Sequence, residues 1–261
     1  MRSTLFVLAI VCAVASPGLA DWKPGDPHKM HYPQLPDPNG WDVNVTRVPG
    51  QMPARVVADD WQCSQSGPVT DIHLWGSWKN DIKGMIDWID IAIYTDDPVG
   101  PGGTDPANIF SKPDREVWFQ SFHPGEFTER FWTDGTQGWY DPFYSQWNRP
   151  DHFGIWQYNI TGINVPGAFE QQLGQIYWLA VSVRLNPDST VGAQFGWKTS
   201  LDHFNDDAVW ANLPPAGVVP WEELIDPITG ASLDMAFVIT PEPVSAFLLV
   251  LGAAAMLRRR R

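Results

Sequence analysis

Only two cysteines stand among 261 residues. Cys12 lies in an N-terminal apolar run that is expected to be removed, which leaves Cys63 alone and excludes an intrachain disulfide framework. A buried, inert thiol is expected of Cys63; an intermolecular disulfide is the alternative that an oxidising compartment permits. Basic residues are also scarce: 17 Lys and Arg stand against 30 Asp and Glu, a formal net charge of −13. No basic patch interrupts this acidity, which excludes nucleic acid as a partner and disfavours anionic lipid. Sustained helical periodicity is missing. So are the Gly-x-Ser-x-Gly elbow, the His-Glu-x-x-His zinc helix and the phosphate-binding loop. No apolar run reaches the roughly 20 residues that span a bilayer comfortably.

What the chain has in quantity is tryptophan, glycine and proline: 15 Trp, 22 Gly and 24 Pro. Glycine and proline are spread along the chain, as many turns between short strands require. From Trp41 the sequence alternates with period two, the signature of half-buried strands. Thr70, Ile72, Leu74, Gly76 and Trp78 share one face; Asp71, His73, Trp75 and Ser77 share the other. Ile89, Ile91 and Ile93 alternate with Trp88, Asp90, Ala92 and Tyr94. Tyr177, Leu179, Val181, Val183 and Leu185 alternate with Trp178, Ala180, Ser182 and Arg184. Glu116 to Phe122, Ile155 to Ile160, Ala193 to Trp197 and Leu233 to Ile239 are further strands. Phe169 to Leu173 and Trp221 to Ile225 are read as single helical turns. The expected fold is all-β: a single antiparallel β-sandwich of jelly-roll type over residues 41–240, preceded by an extended arm over 21–40.

The two ends read as addresses. Arg2, an apolar run from Leu5 to Ala15, the Pro17-Gly18 break and the small residues Gly18 and Ala20 have the order of a signal peptide over residues 1–20, with signal peptidase cutting after Ala20. At the other end, Pro241, Glu242 and Pro243 precede an uncharged run from Val244 to Leu257 and then Arg258, Arg259, Arg260 and Arg261. The prolines end the preceding strand and keep the junction extended. The arginines hold their end on the cytoplasmic side, with the domain across the membrane. A short apolar sorting helix is expected over this tail. Residues 241–261 resemble the PEP-CTERM sorting signal of Gram-negative bacteria. The resemblance implies processing at Pro241–Pro243 by an exosortase-type enzyme, transient inner-membrane anchoring, and delivery to the cell surface or extracellular matrix. The stretch Ala58 to Trp78, with the closing Asp234-Met235-Ala236-Phe237-Val238-Ile239, resembles an uncharacterised β-sandwich family of secreted bacterial proteins that often carry the same tail. That resemblance brings no activity with it.

Candidate sites follow from chemistry. Glu116 and Glu126 are the nearest pair for a two-carboxylate hydrolase, whose reactivity depends on a separation that sequence cannot measure. Asp59-Asp60, Asp96-Asp97 with Asp105, and Asp202 with Asp206-Asp207 are acidic loop clusters of the kind that hold calcium. None has the Asp-x-Asp-x-Asp-Gly spacing, and Asp commonly bonds its own backbone in turns. A structural calcium is therefore the one cofactor to weigh, and the histidines at 28, 31, 73, 123, 152 and 203 show no zinc spacing. Trp75, Trp88, Tyr94 and Trp178 lie opposite the aliphatic stripes, beside His73, Asp90 and Arg184. In one sheet they would form a ring platform for sugar; covered by loops, they would be a second core layer. Asn44 and Asn159 open glycosylation patterns that a bacterium is not expected to use. The expected protein is a non-enzymatic structural or adhesive component of the envelope or matrix. The alternatives are a carbohydrate-binding module using exposed tryptophans and a polysaccharide-active hydrolase.

Overall fold

The structure is a computed structural model that describes residues 21–47, 54–100, 102–104, 108–213 and 219–240. The expected signal peptide (1–20, with Ala20), Asp105 and the sorting tail from Pro241 to Arg261 lie outside the described residues. The described chain is all-β, as its period-two patterning predicts. The strands are β1 (Trp41–Asn44), β2 (Thr46–Arg47), β3 (Ala54–Gln62), β4 (Gly67–Pro68), β5 (Asp71–Trp78), β6 (Ile86–Asp97), β7 (Lys112–Phe122) and β8 (Phe127–Asp141). After these come β9 (Gln146–Ile160), β10 (Glu170–Gln171), β11 (Ile176–Leu185), β12 (Phe195–Ser200), β13 (Val209–Leu213), β14 (Glu222–Glu223), β15 (Asp234–Met235) and β16 (Phe237–Thr240).

One seven-stranded sheet runs β15-β12-β1-β8-β9-β5-β16, and β12 also pairs with β5. That extra pairing closes β12, β1, β8, β9 and β5 into a five-stranded ring. A second sheet runs β14-β13-β3-β11-β6-β7 and stays open. The expectation of one antiparallel sandwich is corrected in two respects. The sheets are mixed, since β1 runs parallel to β8 and β2 parallel to β11, and one of them is a closed ring. Alternation tells which residues share a face, but it is the same for either strand direction and silent on which strands are neighbours. Glycine lets the ring close. A Cβ on Gly76 would stand 2.5 Å from the Gly196 carbonyl oxygen and 2.4 Å from Phe195 Cζ, so any side chain there would push β12 off β5. The two expected helical turns are also corrected, because residues 169–173 and 221–225 contain the short strands β10 and β14. Each pairs with a neighbour that satisfies its backbone.

The main core lies between the two sheets. It takes Ile72 and Leu74 of β5, Ile89, Ile91 and Ile93 of β6, and Leu179, Val181 and Val183 of β11. A smaller cluster of Val56, Ala58, Ala92, Tyr94, Trp178, Ala180, Val209, Ala211 and Trp221 covers the outer face of the open sheet. Residues 21–40 are joined to the fold: Trp22 and Met30 are core residues, and Met30, Gln34 and Pro36 bridge Cys63, Phe237 and Ser200. Cys63 is free and buried; its thiol donates to the Gln65 carbonyl at 3.2 Å, and burial pushes its pKa up. Among the described residues, no helix is long and apolar enough to cross a membrane.

Candidate functional site

The interior of the ring is polar. Hydrogen bonds between strands that are not neighbours cross it: Ser77 Oγ of β5 donates to Gln137 Oε1 of β8 at 2.8 Å, and His152 Nε2 of β9 meets Asp42 Oδ2 of β1 at 2.8 Å. Lys198 Nζ of β12 donates to the same Asp42 oxygen at 2.9 Å and to the Gly40 carbonyl at 3.1 Å. Asp151 Oδ1 takes the other ring nitrogen of His152 at 2.9 Å. Asp42, His152 and Lys198 have fully buried side chains. Burial works against the Asp42 carboxylate, yet Lys198 and His152 outweigh it and hold its pKa below the usual range. Burial also opposes charge on His152, but the attraction of Asp42 and the bonds to Asp151 and Asp42 lift its pKa to about 9. For Lys198, burial lowers the pKa against the pull of Asp42.

This network anchors one end of the ring, where a cavity of about 420 Å³ opens. Lys79, Trp139, Ser145, Gln146, Trp147 and Asn148 line it. Lys79 follows β5, Trp139 ends β8, and the others form the turn and first residues of β9, so the hairpin builds most of the walls. Ser145 takes a left-handed φ of 49° in that turn, which re-aims the chain between Tyr144 and Trp147. Trp139 is 1% exposed and Trp147 50% exposed, so one indole is a fixed wall and the other faces solvent. The Lys79 ammonium lies 5.5 Å over the Trp139 ring. Trp139 also meets His152 edge-on at 6.2 Å, which ties the wall to the ionic interior. Its Nε1 is buried with no protein partner.

The rings predicted from sequence divide between the two sheets. Trp88, Tyr94 and Trp178 do share one face of the open sheet, since Trp178 pairs with Tyr94 and Arg184 with Trp88. Trp75 belongs to the other sheet, packs edge-on against Trp22 and Trp132 at 6.0 and 5.3 Å, and has no exposure. Trp178 is equally buried and donates to Asp96 Oδ1 at 2.8 Å. Tyr94 is buried against Trp221 and donates to Glu116 Oε2 at 3.3 Å. Trp88 is half-buried, with Arg184 stacked 4.1 Å over it. The four-ring sugar platform is therefore corrected: two of its rings fill the second core layer, and Trp75 is packed within the other sheet. Asn44 and Asn159 are buried, bonded to Asp141 and His73 respectively.

The other candidates also find partners. Glu116 bonds Tyr94, whereas Glu126 accepts the His123 N–H in the β7–β8 turn. His31 is stacked on Phe204 at 3.8 Å, and burial lowers its pKa to about 3. Ser232, His203 and Asp234 come together, but both Ser232 Oγ (3.5 Å) and Asp234 Oδ1 (2.8 Å) meet the same His203 nitrogen, Nδ1. A serine relay needs the two ring nitrogens to serve different partners, so this trio cannot pass a proton along. Of the acidic clusters, Asp97 caps its own loop through Thr104 and Asn108. Asp59, Asp60, Asp96 and Asp234 gather at the edge between the sheets. Burial, then the mutual repulsion of these carboxylates, raises the pKa of Asp59 well above the usual range. Burial raises Asp234 to about 6. Among the described residues, no group of three or more His, Cys, Asp or Glu is arranged to hold a metal ion.

Sequence reasoning did not single out Lys79, Trp139 or Trp147. The signal in the sequence is the density of Trp139, Tyr140, Phe143, Tyr144 and Trp147 around a short turn. Neither a curated protein nor a solved structure matches the chain. Residues 30–240 match a family described only as a domain of unknown function, DUF7901. The match takes in the second half of the arm together with both sheets, and on that extent the chain belongs to the DUF7901 family.

Proposed function

We propose that this protein is an exported, non-catalytic component of the cell envelope or extracellular matrix, and that it holds polysaccharide in the cavity at the end of the ring. The observation that carries the reading is the half-exposed indole of Trp147, with the buried Trp139 as fixed backing, in a cavity of about 420 Å³. Flat rings stack on the apolar face of a sugar. Gln146, Asn148, Ser145 and Lys79 supply the few convergent polar groups that a ligand site adds to apolar walls. The ionic interior fixes Trp139 before any ligand arrives, so little ordering has to accompany binding. The resemblance of residues 241–261 to a PEP-CTERM signal supplies the address. On that reading, the protein is anchored briefly in the inner membrane, processed at Pro241–Pro243 and released to the surface.

A glycan array with the purified domain tests the binding. The wild type is expected to be retained by at least one polysaccharide, and Trp147→Ala to lose about tenfold in affinity or more with an unchanged melting temperature. No retention, or retention indifferent to Trp147→Ala, would remove the sugar reading. Deleting Arg258–Arg261 tests the address separately: sorting changes while the domain still folds. A surface form that keeps Val244–Leu257 would make the tail a permanent anchor.

A further inference from the structure

The β8–β9 hairpin carries a second set of rings outside the cavity. Phe131 of β8 and Phe153 of β9 are about half exposed, at 49% and 52%. Trp156 is half-buried and meets Phe131 edge-on at 5.6 Å. Gly154 lies among them: a Cβ there would stand 3.4 Å from Trp156 Nε1, 3.6 Å from Asp81 Oδ1 and 3.9 Å from Phe131 Cε2. Glycine thus leaves a shallow floor with rings around it. Exposed aromatics on a soluble surface call for an occupant, since scattered single rings are ordinary but a grouped set is not.

Among the described residues, one charge pair at this floor is matched, whereas Asp81 and Asp134, which faces Gly154 across the hairpin, pair with no cation. Lys83 Nζ lies 3.6 Å over the Trp156 ring and pairs with Glu129 Oε1 at 2.7 Å. Asp81 accepts the backbone N–H groups of Phe153 and Gly154 at 3.1 Å. A locally acidic patch on a chain of net charge −13 repels an anionic polymer, and the Asp81 carboxylate is turned to backbone N–H groups rather than outward. What suits it is an uncharged chain with flat apolar faces and hydroxyl edges. The patch also adjoins the cavity. The short turn Lys79–Asp81 places Lys79 in the cavity wall and Asp81 beneath Phe153, and Asn80 N ties that turn to Asp151 at 2.7 Å. Along β9, the six steps from Trp147 to Phe153 span at most about 20 Å at roughly 3.3 Å per residue.

We infer that Phe131, Phe153 and Trp156 around Gly154 form a second subsite that continues the Trp139–Trp147 cavity, so that the protein takes an extended, uncharged polysaccharide chain rather than a terminal sugar. The inference rests on the reading of the cavity as a polysaccharide site. It is tested by calorimetry with β-linked glucose, mannose and galactose oligomers, from disaccharide to octasaccharide. Affinity of the wild type is expected to climb with length and then level off. Phe153→Ala and Phe131→Ala are expected to weaken the longest bound oligomer about tenfold and leave the disaccharide unchanged. Gly154→Leu, which fills the floor without removing a ring, is expected to do the same, and Trp147→Ala to weaken every length. Equal affinity for short and long oligomers, with all three patch variants unchanged, overturns the second subsite and leaves the cavity reading standing. No binding of any oligomer by the wild type overturns the cavity reading itself.

Discussion

Two regions of this molecule bury carboxylates, and they treat them in opposite ways. Inside the ring, Asp42 faces His152 at 2.8 Å and Lys198 at 2.9 Å. At the edge between the sheets, Asp59 of β3 and Asp234 of β15 are buried beside Asp60, and Asp234 Oδ1 meets His203 Nδ1 at 2.8 Å. Asp59 accepts three N–H groups, from Gln34 Nε2, Asp60 N and Met235 N. Hydrogen bonds of that number can hold a carboxylate far below its usual pKa. Here burial and the neighbouring carboxylates win, and the pKa of Asp59 rises. The comparison teaches that donors alone do not keep a buried carboxylate ionised against other carboxylates. The ring interior is built to stay charged, whereas the edge is built to take up protons.

The sharpest way to break this comparison is to remove the carboxylate at the centre of the ring. Asp42→Ala leaves Lys198 buried without its counter-charge and His152 with Asp151 alone, and the loss of a buried partner typically costs about 3–5 kcal/mol. Urea unfolding should show a loss of that size. Replacing Asp42, His152 and Lys198 together with apolar residues, and Asp151 with Asn, should cost far less, because no charge is then left unpaired. If Asp42→Ala were as mild as an ordinary surface change, the ring network would be decoration. Trp139 would then need another reason for its fixed position.

The next effect is a pH dependence whose two halves come from the two regions. Asp234 has a folded pKa of about 6, raised from 3.8. Its contribution is fully present below the unfolded value and is lost as pH rises through about 6; the shift corresponds to up to about 3 kcal/mol. His152 has a folded pKa of about 9, raised from 6.5. Its contribution is present below about 6.5 and is lost as pH rises through about 9. Asp42, whose pKa is lowered, contributes above the unfolded carboxylate value and is lost in acid. His31 and His73, whose pKa values burial lowers to about 3 and about 4, act in the opposite sense below pH of about 6.5. The Asp234 step is therefore read as the difference in melting temperature between wild type and Asp234→Asn, and the His152 fall is read between pH of about 6.5 and about 9. The wild-type advantage should shrink as pH rises through about 6, and Asp234→Asn should leave the His152 fall in place. A stability advantage of wild type over Asp234→Asn that grows from pH of about 4 to about 7 would mean that the edge carboxylates are ionised and paired after all.

The two regions were not equally legible in the sequence. The all-β class and the alternation of β5, β6 and β11 follow from period-two patterning, and Leu179 and Trp178 do point to opposite faces. The ring was hidden because its interior is polar. Asp42, Ser77, Gln137, His152 and Lys198 alternate like solvent-facing residues, yet all five are 0% exposed. Only closure of β12 onto β5 turns that face inward, and no local pattern encodes closure. The sugar platform failed for a related reason. Tyr94 and Trp178 sit opposite the main core as expected, but Trp221, from a segment read as a helical turn, covers them. The acidic clusters were visible singly at Asp59-Asp60 and Asp96-Asp97. Their meeting with Asp234 is a tertiary event.

The smallest expected effect sharpens what the edge is for. Asp59, Asp60, Asp96 and Asp234 could meet their mutual repulsion with protons or with a cation, and the two answers differ in a cheap measurement. If protons do it, calcium at about 1 mM or a chelator should shift the melting temperature by less than about 1 °C at pH 7, because an ion that does not bind the folded state selectively adds no stability. Asp60 is the residue to watch. Its Oδ2 receives Asn205 Nδ2 at 2.6 Å, its Oδ1 is buried without a protein partner, and burial raises its pKa. If calcium instead raised the melting temperature by several degrees, and Asp60→Asn abolished that gain, the edge would be a cation site. It would then resemble the ring, each region holding its carboxylates with positive charge, and the part of the pH dependence that Asp234 contributes from pH of about 4 to 6 would disappear once calcium was present.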